Sequence, residues 1–201
     1  MIQKRQRIFI ICLLIVASCG ALFAVFMDYH EPKVDAMKWY FDDPAFDILP
    51  AYDCSAIIFS ITYGSLILFA LTHFKKHFVL SKLAIAYAIM LIFRVITMTA
   101  LPLKEPESII FLDDVFLNTF IYQGELNADL FFSGHTGLLF ILYFLSEKKW
   151  YFLVLGVTLG ILLMIQRVHY SIDVLAAIPF AWLTVYLTNQ IFKRIVRPQN
   201  A

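Results

Sequence analysis

Charged residues are scarce in this chain of 201 residues. They make up 15% of it, against about 25% in typical water-soluble domains, while hydrophobic residues reach 61%. The mean hydropathy is +0.78. These values exclude a water-soluble globular domain and an intrinsically disordered chain. A formal net charge of +1 also excludes a nucleic-acid-binding protein built on a basic surface.

Cysteine is equally rare. Of the three cysteines, Cys12 and Cys19 lie inside an apolar stretch, and Cys54 stands alone. The sequence therefore offers neither a disulfide framework nor a cysteine-rich zinc site.

Long hydrophobic runs predict an all-α polytopic membrane protein with six transmembrane helices. The runs cover residues 8–27, 54–72, 79–101, 131–145, 150–168 and 174–192. At about 20 residues for each span, they account for residues 1–201 as a single six-helix membrane domain. The fourth run is short for a span, so its helix is expected to begin at an embedded ledge.

The first run has a second interpretation. Basic residues precede it, and Val16 to Cys19 resembles a lipoprotein cleavage box, so it could be a signal peptide. The apolar stretch continues to Met27, which favours a retained first helix.

Charge is distributed unevenly between the runs. Eleven of the 16 basic residues flank one side of a six-helix arrangement, and 14 of the 15 acidic residues flank the other. The basic ones are Lys4, Arg5, Arg7, Lys75, Lys76, Lys82, Lys148, Lys149, Lys193, Arg194 and Arg197. Because basic residues prefer the cytoplasmic side, both termini are predicted to be cytoplasmic and the long acidic loops external.

Arg94 is a charged residue inside a predicted span. It lies seven residues before Leu101, or ~10 Å below the outer end of the third helix. One interpretation is an arginine that snorkels to the surface. The other is an anion-binding residue in a polar cavity, since intramembrane charges are costly and tend to be functional.

The sequence Ser133-Gly134-His135-Thr136 opens the fourth run and is typical of a helix start that binds an anion. Serine is a favoured N-cap, glycine lets a ligand approach the backbone, and the first N–H groups are unpaired. Asp129 precedes this motif. A capped helix with a merely hydrogen-bonded histidine is the alternative.

His169 and Asp173 are four residues apart, which predicts that the carboxylate holds one ring nitrogen and leaves the other free as nucleophile or base. A structural His–Asp pair is the alternative. Arg167 could supply a second phosphate contact.

Two histidines and one aspartate beside two arginines suit a cation poorly, so no metal is expected. A two-histidine haem site is conceivable but leaves the arginines unexplained. Phosphoryl transfer explains the whole set.

The two motifs Phe131-Phe132-Ser133-Gly134-His135-Thr136 and His169-Tyr170-Ser171-Ile172-Asp173 resemble the signatures of the sphingomyelin synthase family, a branch of the lipid phosphate phosphatase superfamily. Further similarity lies in the segment from Arg94 to Pro102, in Phe46 to Asp53, and in Asp129. The resemblance covers about residues 40–190. Tyr87 and Leu163 stand where the wider superfamily has lysine and arginine, which favours the synthase branch. Asn127-Ala128 replaces a Cys-Gly of the animal synthases, which leaves the head group open.

The resemblance implies a lipid phosphate phosphatase-like bundle that needs no cofactor. His169, oriented by Asp173, would attack a phospholipid phosphorus, and His135 would serve as acid and base. The phosphate or substrate would be bound by Arg94, Arg167, Ser133, Gly134 and Asp129.

With a hydroxyl lipid such as ceramide or diacylglycerol as acceptor, the protein would be a transferase. With water as acceptor, it would be a phosphatase or phospholipase C-like hydrolase. A non-catalytic lipid-binding or transport protein is the third possibility. The minimal form suits a bacterial inner membrane.

Overall fold

The computed structural model describes residues 2–37, 40–112, 130–146 and 150–196. These residues form seven helices and no strand. The helices are α1 (Ile2–Asp35), α2 (Ala45–Ile48), α3 (Ser55–His73), α4 (His77–Ala100), α5 (Gly134–Leu145), α6 (Trp150–Ile165) and α7 (Ser171–Val196). The all-α class predicted from the hydrophobic runs is therefore confirmed.

Four helices of the described residues are long and apolar enough to cross a membrane: α1, α3, α4 and α7. They fit an integral membrane protein. Helices α5 and α6 occupy the fourth and fifth predicted runs, but they have 12 and 16 residues, and a full span takes about 20.

Several helix boundaries differ from the predicted spans. The first helix continues past Met27 to Asp35, because Val34 is buried with Met27 against Met98 of α4. The predicted fifth span, 150–168, stops as a helix at Ile165 and gives way to a turn, and α7 begins at Ser171 rather than at 174. This turn carries Arg167 and His169.

Helix α5 is the centre of the bundle. It packs against α3, α4, α6 and α7, while α1 lies at the periphery and packs on α4. Residues on α5 such as Phe140 and Ile141 are buried in one core with Ala177 and Ala181 of α7. Small residues let neighbouring helices approach closely, as is common where helices pack inside a membrane.

Gly160 of α6 lies close to Val174 of α7. A Cβ atom added there would lie 2.6 Å from Cγ1 of Val174, and a β-branched side chain has little rotamer freedom to move away. We expect Gly160→Ala to lower the free energy of unfolding by about 1–3 kcal/mol, measured as a lower Tm of the detergent-solubilised protein. Gly64→Ala is the matched control, because an added Cβ there has no neighbour within 4 Å. Equal Tm values for the two variants would contradict this packing.

Candidate functional site

The start of α5 is capped as its sequence predicts. Ser133 is the N-cap, and its hydroxyl oxygen accepts a hydrogen bond from the N–H of Thr136 at 3.3 Å. Ser133 itself is fully buried. The preceding Phe131 has a φ of 61°, a left-handed conformation that is uncommon for a residue with a side chain and that is found often at functional sites. The motif therefore begins with an unusual backbone and a buried helix start.

Arg94 of α4 lies directly against this helix start. Its side chain is 4% exposed, and its Nη1 atom is 2.6 Å from the position that a Cβ atom on Gly134 would take. A side chain at position 134 would require the guanidinium to move, so glycine allows this close approach. The guanidinium carbon also lies 5.1 Å from the ring centre of Phe23 on α1. Arg94 therefore points into the bundle.

His169 and Asp173 form a buried pair at the other motif. His169 lies in the turn before α7, and Asp173 is the third residue of that helix. The Nδ1 atom of His169 is 3.3 Å from Oδ2 of Asp173, and the two residues are 4% and 0% exposed. The same Oδ2 accepts a hydrogen bond from the N–H of Tyr170 at 3.1 Å. Because Nδ1 faces the carboxylate, Nε2 is the ring nitrogen directed away from it.

Backbone and side-chain hydrogen bonds join the three elements that carry these residues. The N–H of Ser133 donates to the carbonyl oxygen of Asp173 at 3.1 Å, which connects the starts of α5 and α7. The hydroxyl of Thr97 on α4 donates to the carbonyl oxygen of Phe131 at 3.0 Å. The structure thus brings the two sequence motifs and the Arg94 helix together at one end of the bundle, which we call the site end.

His135 is the second residue of α5 and is partly exposed. Its ring packs against Phe59 of α3 in an edge-on arrangement, with 6.1 Å between ring centres. It lies two residues past the Ser133 cap, so it shares the site end with His169. Asp129, the remaining predicted substrate-binding residue, lies outside the described residues.

Arg167, for which a phosphate contact was predicted, contacts the chain itself. Its Nη2 atom donates hydrogen bonds to the carbonyl oxygens of Phe46 and Leu49, at 2.7 and 2.8 Å. The guanidinium also lies 4.3 Å from the ring centre of Phe46. Because these contacts are to backbone and an aromatic ring more than a hundred residues earlier, Arg167 fastens the segment around α2 to the turn that carries His169.

The segment before α3, in which the sequence resemblance was also found, makes further contacts with this turn. The N–H of Cys54 donates to Oε1 of Gln166 at 2.8 Å, and the N–H of Tyr52 donates to the carbonyl oxygen of Ile165 at 3.2 Å. Asp53 caps α3 by accepting the N–H of Ser55 at 2.9 Å. That hydrogen bond lowers the pKa of the Asp53 carboxyl.

Tyr170, between His169 and α7, is fully buried. Its hydroxyl donates to the carbonyl oxygen of Lys104 at 2.9 Å, and its ring contacts those of Phe41 and Phe46. Burial raises the pKa of the Tyr170 phenol, so the group stays neutral and keeps its proton as a hydrogen-bond donor.

Asp43 is a residue of this region that the sequence did not single out. It is 3% exposed, and its carboxylate accepts hydrogen bonds from Ser171, the first residue of α7. The only sequence signal is a pair of aspartates before Pro44, a pattern that is common in turns.

Within the described residues, no group of three or more histidine, cysteine or acidic side chains is arranged to hold a metal ion. No protein-family model matches the chain, and a comparison with curated proteins finds no match.

Proposed function

We propose that the protein is an integral-membrane phosphotransferase that moves a phospholipid head group, of the phosphocholine type, to a hydroxyl lipid such as ceramide. The observation that carries the proposal is the junction of the two motif turns through the Ser133–Asp173 hydrogen bond. It puts the His169–Asp173 pair and the capped start of α5 at the same end of the bundle, with Arg94 against Gly134. The resemblance of both motifs to sphingomyelin synthases supports the same conclusion.

The arrangement suggests how the phosphate is held. The first N–H groups of α5 have no partner within the helix and lie at the positive end of its dipole, a favourable position for a phosphate oxygen. The buried Arg94 guanidinium adds a full positive charge beside Gly134. In a site with little water, these two features stabilise the extra negative charge that develops when phosphorus is attacked.

The transfer has two steps. In the first, Nε2 of His169 attacks phosphorus and forms a P–N bond, the bond from phosphorus to the diacylglycerol oxygen breaks, and His135 donates a proton to that oxygen. In the second, His135 removes the proton of the acceptor hydroxyl, whose oxygen attacks phosphorus while the P–N bond breaks. Asp173 holds His169 in the required tautomer and stabilises its positive charge. The mechanism requires no metal or other cofactor.

The apolar surroundings of Arg94 suit a lipid substrate. The Phe23 ring beside the guanidinium also lines an apolar groove between α1 and α4, together with Leu22, Leu91 and Val95. An acyl chain in this groove would have its phosphate end near Arg94. This supports a lipid rather than a water-soluble phosphate ester as substrate.

The test is to incubate the purified protein with a phospholipid labelled in its head group, with and without ceramide. We expect the label to appear in a second lipid, and only when ceramide is present. A water-soluble labelled phosphate ester would indicate a lipid phosphatase or phospholipase C-like hydrolase instead. Binding of phospholipid without any turnover would indicate a non-catalytic lipid-binding or transport protein.

We also propose that α5 and α6 complete a six-span topology with both termini in the cytoplasm and the site end outside. Helix α5 is short, but Leu130, Phe132 and Ser133 before it are buried in protein, where non-helical backbone is tolerated at membrane depth. Exposed Lys75 lies at the end of the bundle opposite exposed Tyr52. In a cysteine-free background, Tyr52→Cys should react with a membrane-impermeant maleimide in intact cells, and Lys75→Cys only after permeabilisation. The reverse result would overturn this orientation.

A further inference from the structure

Asp43 is a buried carboxylate outside the residues assigned to the reaction. It lies in the connection between α1 and α2 and is 3% exposed. Its Oδ1 atom accepts hydrogen bonds from the N–H of Ala45 and from the hydroxyl of Ser171, both at 3.0 Å. Its Oδ2 atom accepts the N–H of Ser171. Since burying a carboxylate is costly unless it is well hydrogen-bonded, these three bonds indicate a fixed position.

Asp43 contacts Ser171, which lies midway between His169 and Asp173 in the sequence. Ser171 is the first residue of α7, and its N–H is one of the helix-start groups that lack a partner within the helix. An N-cap side chain usually accepts the N–H of the second or third helical residue, not that of the first. Here the N-cap residue is Tyr170, whose hydroxyl donates to Lys104, and a carboxylate 128 residues away in the sequence accepts the N–H of Ser171.

The segment that carries Asp43 makes further contacts with the turn before α7. The rings of Phe41 and Phe46 contact Tyr170, and the carbonyl oxygens of Phe46 and Leu49 accept hydrogen bonds from Arg167. We call residues 41–49 the clamp. The clamp contacts Arg167, Tyr170 and Ser171, and each of these residues lies within two positions of His169 in the sequence.

We propose that Asp43 is a positioning residue for His169. The inference rests on the proposed function: Asp43 does not touch the lipid, but it fixes the start of α7 and therefore the direction of the His169 ring toward phosphorus. Misplacing a reacting group by about 1 Å can cost on the order of 10²-fold in rate. Loss of Asp43 should therefore lower kcat and leave KM for phospholipid nearly unchanged.

The variants are Asp43→Ala, Ser171→Ala and the double variant, with Asp42→Ala as the matched control. Asp42 is the exposed neighbour of Asp43 on the same segment. We expect Asp43→Ala to lower kcat about 10- to 100-fold with KM within about twofold, and Ser171→Ala, which keeps the backbone N–H donor, to lower it only a few-fold. Because the two residues contact each other, the double variant should be little worse than Asp43→Ala. A purely structural role would give losses that also appear in KM.

A second measurement does not depend on the proposed reaction. The rate at which diethyl pyrocarbonate modifies His169, followed by mass spectrometry, should rise several-fold in Asp43→Ala and stay at the wild-type value in Asp42→Ala. If the wild type lacks lipid activity but this difference is seen, the proposed function fails and the positioning of His169 by Asp43 stands. If Asp43→Ala changes neither kcat nor the modification rate, the positioning role is overturned. Should Asp43→Ala not fold, Ser171→Ala decides by the same two measurements.

Discussion

Replacing His169 with alanine is expected to lower head-group transfer at least about 10³-fold, because the proposed mechanism forms the P–N bond at its Nε2 atom. The loss should be equal with ceramide and with water as acceptor, since the same intermediate precedes both products. Head-group label should also become attached to the wild-type protein in an acid-labile, base-stable form typical of phosphohistidine. His169→Ala should carry none.

The matched control is His73→Ala. His73 is also a buried histidine, 5% exposed, but it lies at the far end of α3, where its Nδ1 atom is 3.0 Å from the carbonyl oxygen of Phe69. Its loss should leave the transfer rate close to that of the wild type. Full activity of folded His169→Ala, or label still attached to that variant, would refute the mechanism.

Asp173→Asn is expected to lower kcat about 10²- to 10⁴-fold while KM changes little. The asparagine has almost the same shape, but only one of its two terminal atoms accepts hydrogen bonds. In the wild type, Oδ2 of the carboxylate contacts Nδ1 of His169 and accepts a hydrogen bond from the N–H of Tyr170. An amide in its place cannot stabilise the positive charge that His169 acquires, nor hold the ring in the tautomer that leaves Nε2 unprotonated.

Two comparisons check that the loss arises at His169. Asp35→Asn removes the charge of an exposed aspartate at the end of α1 and should leave kcat unchanged. In the His169→Ala background, Asp173→Asn should cause little further loss, because residues that act as one unit do not contribute additively. A full additional loss in that background would mean that Asp173 acts by another route.

Much of the helical framework could be predicted from the hydrophobic runs. The ends of α3 and α4 lie within two residues of the predicted spans, because charged residues or prolines follow the apolar stretches directly. The end of α1 could not be found in this way. Its last turns carry Asp28, Glu31 and Pro32, and they are helical because neighbouring residues pack on α4, a tertiary contact that composition does not reveal.

At the site, too, contacts within a motif could be predicted and contacts between distant parts of the sequence could not. The Ser133 cap and the His169–Asp173 pair are local, so spacing in the sequence was enough to predict their contacts. Arg167 and Asp43 are not local. Their partners are 118 to 128 residues away, and a charged residue near a motif could as well face a phosphate as a backbone carbonyl. Only the folded chain shows the backbone contacts of Arg167, and its phosphate contact stays a prediction.

The separation of Asp43 and Ser171 in the sequence also affects the order in which the parts of the protein assemble. The ribosome makes Asp43 128 residues before its partner, so the clamp must wait while the chain up to α7, including the described helices α2 to α6, is synthesised. Until α7 enters the bundle, the Asp43 carboxylate has no helix start to cap, and His169 has no fixed orientation. In the proposed mechanism the site is therefore completed only when α7 packs, and a chain that lacks α7 holds most of the bundle without an oriented His169.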